Sequence, residues 1–392
     1  MGVASGSDAM TLRIPFNRPC VVGSEMSYVA DAVAGGHTSG NGPFTQRAER
    51  FLEAQFGVGR VQLTTSCTSA LEMAAQLCDL APGDEVIMPS YTFVSTANAV
   101  ALRGARPVFV DIRKDTLNID ETLIEAAVTP RTRAIFVVHY AGQACEMDTI
   151  MAIARRHGLL VVEDAAQAIQ SGYKGRWLGT IGDLGCYSFH ETKNIACGEG
   201  GALLINDARF VARAEVLRDK GTNRRQFQSG EVDKYTWVDI GSSYAPSDML
   251  AAFLLGQLEH LERITARRGG IHRRYRELLQ PLADAGAIGL PHVAPDCAIN
   301  HHMFHILTKD IEERTALIAY LSRAGIAAVF HYVPLHSSPY FRRIAPVPEL
   351  PVTDDISRRL LRLPMFFDLT DAEVDDVAGC VNEYYCAGGR RA

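Results

Sequence analysis

Two side chains of complementary chemistry end apolar runs 29 residues apart: Asp164 closes "LLVVED", and Lys193 follows "GDLGCYSFHET". A lysine held where water is scarce gives up its proton readily and can attack a carbonyl carbon. A carboxylate set above apolar residues is costly unless a cation meets it, and a protonated pyridine nitrogen is one such cation. Each residue also has a plain structural alternative. Asp164 can cap a helix over "AAQAIQSG", and Lys193 can be a solvated loop lysine. Presented together at the carboxyl edge of one sheet, an amine and an acid suit pyridoxal phosphate, whose Schiff base needs the first and whose ring nitrogen needs the second.

Such a cofactor also needs an anion cradle and a cover for its ring. "TTSCTSALEMA" puts small hydroxyl residues at a strand-to-helix turn, so N–H groups near Cys67 and Thr68 and the Thr68 hydroxyl can hold a phosphate at a positive helix end. Ser188, five residues before the lysine, adds another hydroxyl. Taken singly, Ser/Thr clusters usually only cap helices. Phe93 in "PSYTFVST" can cover the ring, although aromatics at strand ends more often fill cores. Gly198, Gly200 and Gly201 of "GEGG" let the backbone turn tightly beside the lysine.

The elements that must carry these residues follow from the hydrophobic pattern. Short apolar runs ("DEVIMP", "RPVFVDI", "TRAIFVVHY", "LLVVED") alternate with helical stretches, as in "CTSALEMAAQLCDL" and "MDTIMAIARRHG". Runs that are continuously apolar imply parallel strands covered on both faces. The predicted fold class is therefore α/β: a large, doubly wound, mainly parallel sheet domain over residues 13–262 and a smaller α+β domain over 263–392. The boundary falls within the helical stretch "PSDMLAAFLLGQLEHLERITARRGGIHRRYRELLQPLADAG". Residues 1–12 read as a floppy tail and "APVPELPVTDD" as a surface loop.

Composition narrows the function classes. At 392 residues, 47% apolar and 21% charged, the chain is that of a soluble globular protein long enough for two domains. A net charge of -6, with the arginine pairs Arg155-Arg156, Arg267-Arg268 and Arg273-Arg274 in helix-like stretches, argues against nucleic acid. Nine cysteines without a C-x-x-C spacing argue against a disulfide framework or a zinc ribbon and fit a reducing cytoplasm. No apolar run approaches the roughly 20 residues of a membrane span. In "NHHMFH", His301 and His305 share one face of an expected strand and His302 the other, with no acid nearby, so no metal site is expected.

The blocks "SCTSALEMA", "PGDEVIMPSYTFVSTANAV", "PVFVDI", "VVHYAG", "VVEDAAQ", "GDLGCYSFHETKN", "GEGGALL" and "FHYVPLH" stand in an order that resembles the sugar aminotransferases of the DegT/DnrJ/EryC1/StrS family, from about residue 13 onward. The resemblance implies the fold type I architecture of aspartate aminotransferase, pyridoxal 5'-phosphate as cofactor with pyridoxamine 5'-phosphate as its intermediate form, and a homodimer whose active sites draw on both subunits. It makes Lys193 the internal aldimine lysine and Asp164 the partner of the pyridine nitrogen. Gln167 would sit near the ring oxygen, Phe93 on the ring, and Cys67, Thr68 and Ser188 at the phosphate. Where many relatives carry an asparagine that crosses the dimer interface to the phosphate, "DIGSSYAPSDM" offers Ser243.

Within the family, "RIPFNRP", "RDKGTNRRQF", "VDKYTWVDIGSSY" and "AVFHYVPLHSSP" look closest to the dTDP-4-amino-4,6-dideoxyhexose transaminases. That implies transfer of the amino group of L-glutamate, leaving 2-oxoglutarate, to C4 of dTDP-4-keto-6-deoxy-D-glucose, with a gluco- or galacto-configured amino sugar as product. Lys220, Arg224 and Arg225 of "DKGTNRRQF" could meet the diphosphate or form a solvated charged loop. Tyr332 and His336 of "HYVPLH" match a family signature near the sugar-nucleotide site. The alternatives are a C3- or UDP-sugar aminotransferase and a non-catalytic binding member. A related dehydrase class carries histidine at the lysine position, against which Lys193 argues directly.

Overall fold

The computed structural model describes residues 12–388, so all but the last residue of the expected tail lies outside the described residues. The large sheet is built from β1 (Arg60–Thr64), β2 (Glu85–Pro89), β3 (Arg106–Val110), β4 (Thr132–Val138) and β5 (Leu160–Asp164). A short hairpin, β6 (Gly172–Tyr173) and β7 (Arg176–Trp177), precedes its last two strands, β8 (Leu184–Ser188) and β9 (Gly201–Ile205). The seven strands run in the order β1-β9-β8-β5-β4-β2-β3. Pairing is parallel from β3 through β2, β4 and β5 to β8. β9 is antiparallel to both of its neighbours, β8 and β1.

Continuous apolar strands are explained by the two faces they feed. Ile87, Ile135, Val137 and Val161 enter one core, while Val86, Met88, Ala134, Phe136 and Val162 of the same strands enter the core on the opposite face. The same alternation sends the adjacent acids of β5 in opposite directions, which decides their roles.

The helix Asp248–Leu258 ends at Glu259, and a second helix runs from Leu261 to Asp284, so the single stretch read from sequence is two helices. The break separates a segment buried on most sides from an amphipathic one. The second helix passes from the large core, at Ile264, to the C-terminal core, at Ile271, Tyr275 and Leu279. There it packs beside a small antiparallel sheet of β11 (Phe304–Leu307), β13 (Leu360–Leu363) and β12 (Val329–Phe330), while β10 (Cys297–Ala298) joins the β6–β7 hairpin.

Two further differences from the sequence reading have simple causes. Ile14, expected in the large domain, is fully buried in the C-terminal core, because Arg13 N and Ile14 N both donate to Gly325 O and Ile14 pairs with Ile326. The "PVTDD" end of the expected loop opens the helix Pro351–Arg359 instead. Proline suits a first helical turn, and the Asp111 carboxylate of the large unit accepts from Val352 N (2.9 Å) and Thr353 N (2.8 Å), capping that helix. Among the described residues no helix is long and apolar enough to cross a membrane, and all nine cysteines are free.

Candidate active site

A cavity of about 500 Å3 opens beyond the carboxyl ends of β5 and β8, where open α/β sheets characteristically bind ligands. Asp164 and Lys193 both line it. Asp164 is buried, and its carboxylate accepts from Thr96 Oγ1 (2.7 Å) and from Ala166 N (3.1 Å). Burial pushes its pKa up; these two hydrogen bonds and the Lys193 and His139 charges oppose the rise without cancelling it. The preceding residue, Glu163, points to the other face. Its oxygens accept from Ile181 N, Gly182 N (both 2.6 Å), Gly179 N and His139 Nε2 (both 2.8 Å), so it anchors the loop that leads into β8.

Lys193 sits in a tight turn between β8 and β9. Phe189 N donates to Gly200 O, Glu191 N to Gly198 O and Lys193 N to His190 O, at 2.8, 2.8 and 2.9 Å. Gly198 has φ +86°, which a side chain would strain. A Cβ on Gly201 would lie 2.4 Å from Cys67 N, so the start of β9 can pass the helix Cys67–Leu77 only as glycine. The Lys193 amine has its pKa lowered, chiefly by burial and further by the Arg362 charge, against the pull of Asp164.

That same helix begins at the cavity, where the anion cradle is expected. Its N-cap, Ser66, accepts from Ser69 N, and Cys67 and Thr68, at its positive end, line the cavity together with Ser188. Thr68 Oγ1 lies 2.7 Å from Ser95 Oγ, which adds a hydroxyl that sequence reasoning missed. Phe93 is 57% exposed at the cavity wall, its ring 6.3 Å from that of Tyr332. Gln167 accepts from Ala141 N (2.7 Å) and donates to Tyr332 Oη (3.0 Å), joining the two units across the site.

Four expected residues are not brought into this cavity. Lys220 and Arg224 are exposed and face Asp219, Ser243 is exposed on the neighbouring segment, and His336 is buried with Nδ1 2.7 Å from Ser90 Oγ and Nε2 3.4 Å from Asp354. The structure adds others from the C-terminal unit: His302, His331 and Arg362 all line the cavity. His302 Nδ1 donates to Asn194 Oδ1 (2.9 Å), and Asn194 Nδ2 donates to Asn300 O (2.8 Å), which holds the residue next to Lys193. Part of the "NHHMFH" cluster thus supports the lysine turn. Among the described residues no group of His, Cys, Asp and Glu is arranged to hold a metal.

These residues fit pyridoxal phosphate. Asp164 is a buried carboxylate with no lysine, arginine or histidine paired to it among the described residues, as a partner for a pyridinium requires. The exposed Phe93 ring, the hydroxyl-rich helix end and the deprotonation-prone Lys193 lie around the same space.

Comparison with known proteins agrees with that chemistry. The sequence pattern of the DegT/DnrJ/EryC1/StrS aminotransferase family matches residues 19–382. The chain is 36% identical over 382 residues to the spore coat polysaccharide biosynthesis protein SpsC of Bacillus subtilis (strain 168), spanning 94% of this chain and 96% of that one. It superposes on DesV of S. venezuelae, solved in complex with a ketimine intermediate, with a TM-score of 0.86 at 33% identity, covering 97% of this chain and 100% of DesV. A putative sugar aminotransferase of Streptococcus pneumoniae, Spr1654, in its PLP-form, matches at a TM-score of 0.86 and 27% identity, over 93% of this chain and 97% of that one.

Proposed function

Because the chain belongs to the DegT/DnrJ/EryC1/StrS aminotransferase family, and is thus a pyridoxal-phosphate-dependent sugar aminotransferase, we propose that it moves the amino group of L-glutamate to C4 of dTDP-4-keto-6-deoxy-D-glucose. The observation that carries the chemistry is the pairing, in one cavity, of a lysine with a lowered pKa and a buried carboxylate that lacks a cation. The choice of sugar rests on the sequence blocks shared with dTDP-4-amino-4,6-dideoxyhexose transaminases. A cavity flanked by Phe16, Leu71 and Phe93 suits a sugar whose C6 is a methyl group.

Bound pyridoxal phosphate supplies an electron sink that acidifies the carbon bearing nitrogen and carries the amino group between donor and acceptor. Asp164 would hold its ring nitrogen protonated; Cys67 and Thr68 N–H groups and the Thr68 and Ser188 hydroxyls would hold its phosphate, and Phe93 and Gln167 its ring. Lys193 Nζ is the proton carrier. It takes the α-proton of L-glutamate in the first half-reaction and delivers a proton to C4 of the sugar in the second. Burial keeps that amine ready to accept, since desolvation disfavours its charged form.

The active unit in this reading is a cytoplasmic homodimer. Trp237 and Ile240 stand 76% and 59% exposed on the loop that carries Lys220, Arg224 and Ser243. Large apolar groups so exposed suit an interface, and a second copy docked there would receive the three polar residues at its own site.

The test mixes the protein with pyridoxal phosphate, L-glutamate and dTDP-4-keto-6-deoxy-D-glucose, identifies the sugar by mass and proton NMR, and uses Lys193→Ala as control. A 4-amino product absent from the control supports the reading, and the H4 couplings assign its configuration. Conversion of the cofactor by glutamate with no aminated dTDP sugar would refute the substrate.

A further inference from the structure

Behind Asp164 stands a chain of two hydroxyls that the proton transfers do not use. Thr96 Oγ1 lies 2.7 Å from Asp164 Oδ2, and Thr92 Oγ1 lies 2.9 Å from Thr96 Oγ1. All three residues are buried. An ionised carboxylate only accepts, so the Thr96 hydrogen is on Asp164 and the Thr92 hydrogen turns to Thr96 Oγ1. The chain is therefore polarised in one direction, from Thr92 through Thr96 to the acid. The two threonines stand four positions apart around the start of the helix Val94–Ala101, whose N-cap is Phe93. A threonine hydroxyl in a helix commonly bonds to the carbonyl one turn back; that of Thr96 is directed to the end of β5 instead. Ser95 of the same helix reaches Thr68, so this one helix meets the cavity at its ring cover, its anion end and its acid.

A buried acid facing a pyridine nitrogen can share one proton in two ways. Held on nitrogen, the proton leaves two opposite charges; held on the carboxylate, it leaves none, and a dry site favours the second. Burial pushes the Asp164 pKa up, and the Thr96 hydrogen bond is the largest influence holding it down. Its side chain has one other donor among the described residues, Ala166 N at 3.1 Å. A hydrogen bond donated to the ionised form favours that form, and a donor whose own oxygen receives a hydrogen bond is the stronger for it. We propose that Thr96, backed by Thr92, is a positioning residue that keeps the shared proton on the ring nitrogen of pyridoxal phosphate and off Asp164; this rests on the aminotransferase reading. No proton leaves the pair, since the hydroxyls decide only which of two atoms carries it. With the proton on the acid, the ring is neutral and a poorer electron sink. The hydroxyl of Thr96, and not its shape, is thus the part that matters.

The experiment loads native protein, Thr96→Val, Thr96→Ser, Thr92→Val and Asp164→Asn with pyridoxal phosphate isotopically labelled at the ring nitrogen. It records the solid-state nitrogen NMR shift, which separates a pyridinium from a neutral pyridine. Loss of one hydrogen bond to an ionised acceptor predicts that T96V moves the partition of the proton about 10- to 100-fold toward the carboxylate, with recovery in T96S. Thr92→Val should move the signal the same way by a smaller amount; no movement would remove Thr92 from the proposal. A native shift in T96V overturns the proposal, as does a neutral ring in the native protein. A T96V change that T96S fails to restore also overturns it, because the effect would then belong to packing of the Thr96 methyl group. Cofactor absorbance and melting temperature verify that each variant is filled and folded; a purely structural Thr96 would lower the melting temperature and leave the nitrogen shift where it is. If Asp164→Asn keeps the native shift, the assignment of Asp164 to the ring nitrogen fails and the proposal with it, whereas a change in Asp164→Asn without one in T96V sinks the role of Thr96 alone. If native protein shows no spectral change with glutamate, the aminotransferase reading fails, while the nitrogen shift still decides Thr96 by itself.

Discussion

Asp164→Asn should weaken the protein's hold on pyridoxal phosphate while leaving the empty protein as stable as before, or more so. Burial holds the Asp164 pKa above its unfolded value, so the folded state favours the protonated form. As pH rises from the unfolded pKa through the folded one, that preference costs stability, and at neutral pH the carboxylate is a net liability in the empty protein. The amide can also be satisfied where it stands. Its oxygen keeps the bond from Ala166 N (3.1 Å), and its NH2 donates to Thr96 Oγ1, whose hydrogen turns to Thr92 Oγ1 at 2.9 Å. The cofactor loses a charge-assisted hydrogen bond of about 1.5–3 kcal/mol, or roughly 10- to 100-fold in dissociation constant. Fluorescence titration of empty protein with pyridoxal phosphate measures the second quantity, and thermal unfolding of the same preparations the first. A clearly lower melting temperature of the empty variant, or unchanged cofactor affinity, would refute the reasoning, because either would mean that Asp164 serves the fold and not the ring nitrogen.

Gly201→Ala forces the backbone apart where a Cβ would sit 2.4 Å from both Cys67 N and Ser66 C, costing about 1–3 kcal/mol in urea unfolding and loosening the phosphate end. Unaltered stability and cofactor affinity would show that β9 and the helix Cys67–Leu77 can part freely. Glu163→Gln strands two of the four donors that converge on this carboxylate, whichever oxygen is replaced, and should cost roughly 2–6 kcal/mol, read from denaturant midpoints. Arg362→Gln removes a charge that lowers the Lys193 pKa, so the rate at which empty protein captures pyridoxal phosphate, which rises with pH as the amine deprotonates, should shift to higher pH. A profile that stays put or moves down would separate Arg362 from the lysine.

The large sheet was legible because its strands are apolar on both faces, a signal that needs no knowledge of partners. Lys193 and Asp164 were legible for a related reason: each is a charge at the end of an apolar run, and Cys67, Thr68, Phe93, Gln167, Ser188 and Tyr332 meet them in one cavity. Arg362 carried the same kind of signal, an arginine inside "RRLLRLPMF", yet its direction depends on the register of β13 against β11 and β12, which local pattern does not determine. His302 and Asn194 act through a pairing across 108 positions and had no local sign. His336 sits in a matching motif, but its Nδ1 meets Ser90 and its Nε2 faces Asp354. Lys220, Arg224 and Ser243 lie on an exposed segment outside the cavity, and a hydrophobic pattern cannot place such polar residues.

The two units divide the chemistry between them. Groups suited to hold the cofactor, namely Asp164, Ser188 and the end of the helix Cys67–Leu77, come from the large sheet and its first crossover, rigidly tied by strand pairing and by the glycine contact at position 201. The smaller unit lines the same cavity with Arg362, His331 and Tyr332. Such a site depends on how the units are docked, and the docking contacts are polar and specific. Gln167 bonds to Ala141 on one side and Tyr332 on the other, Asp111 caps the helix Pro351–Arg359, and Asn194 is clamped by His302 and Asn300. Directional bonds that fix the smaller unit against Lys193 set the shape of the cavity in which a substrate would present its reacting carbon.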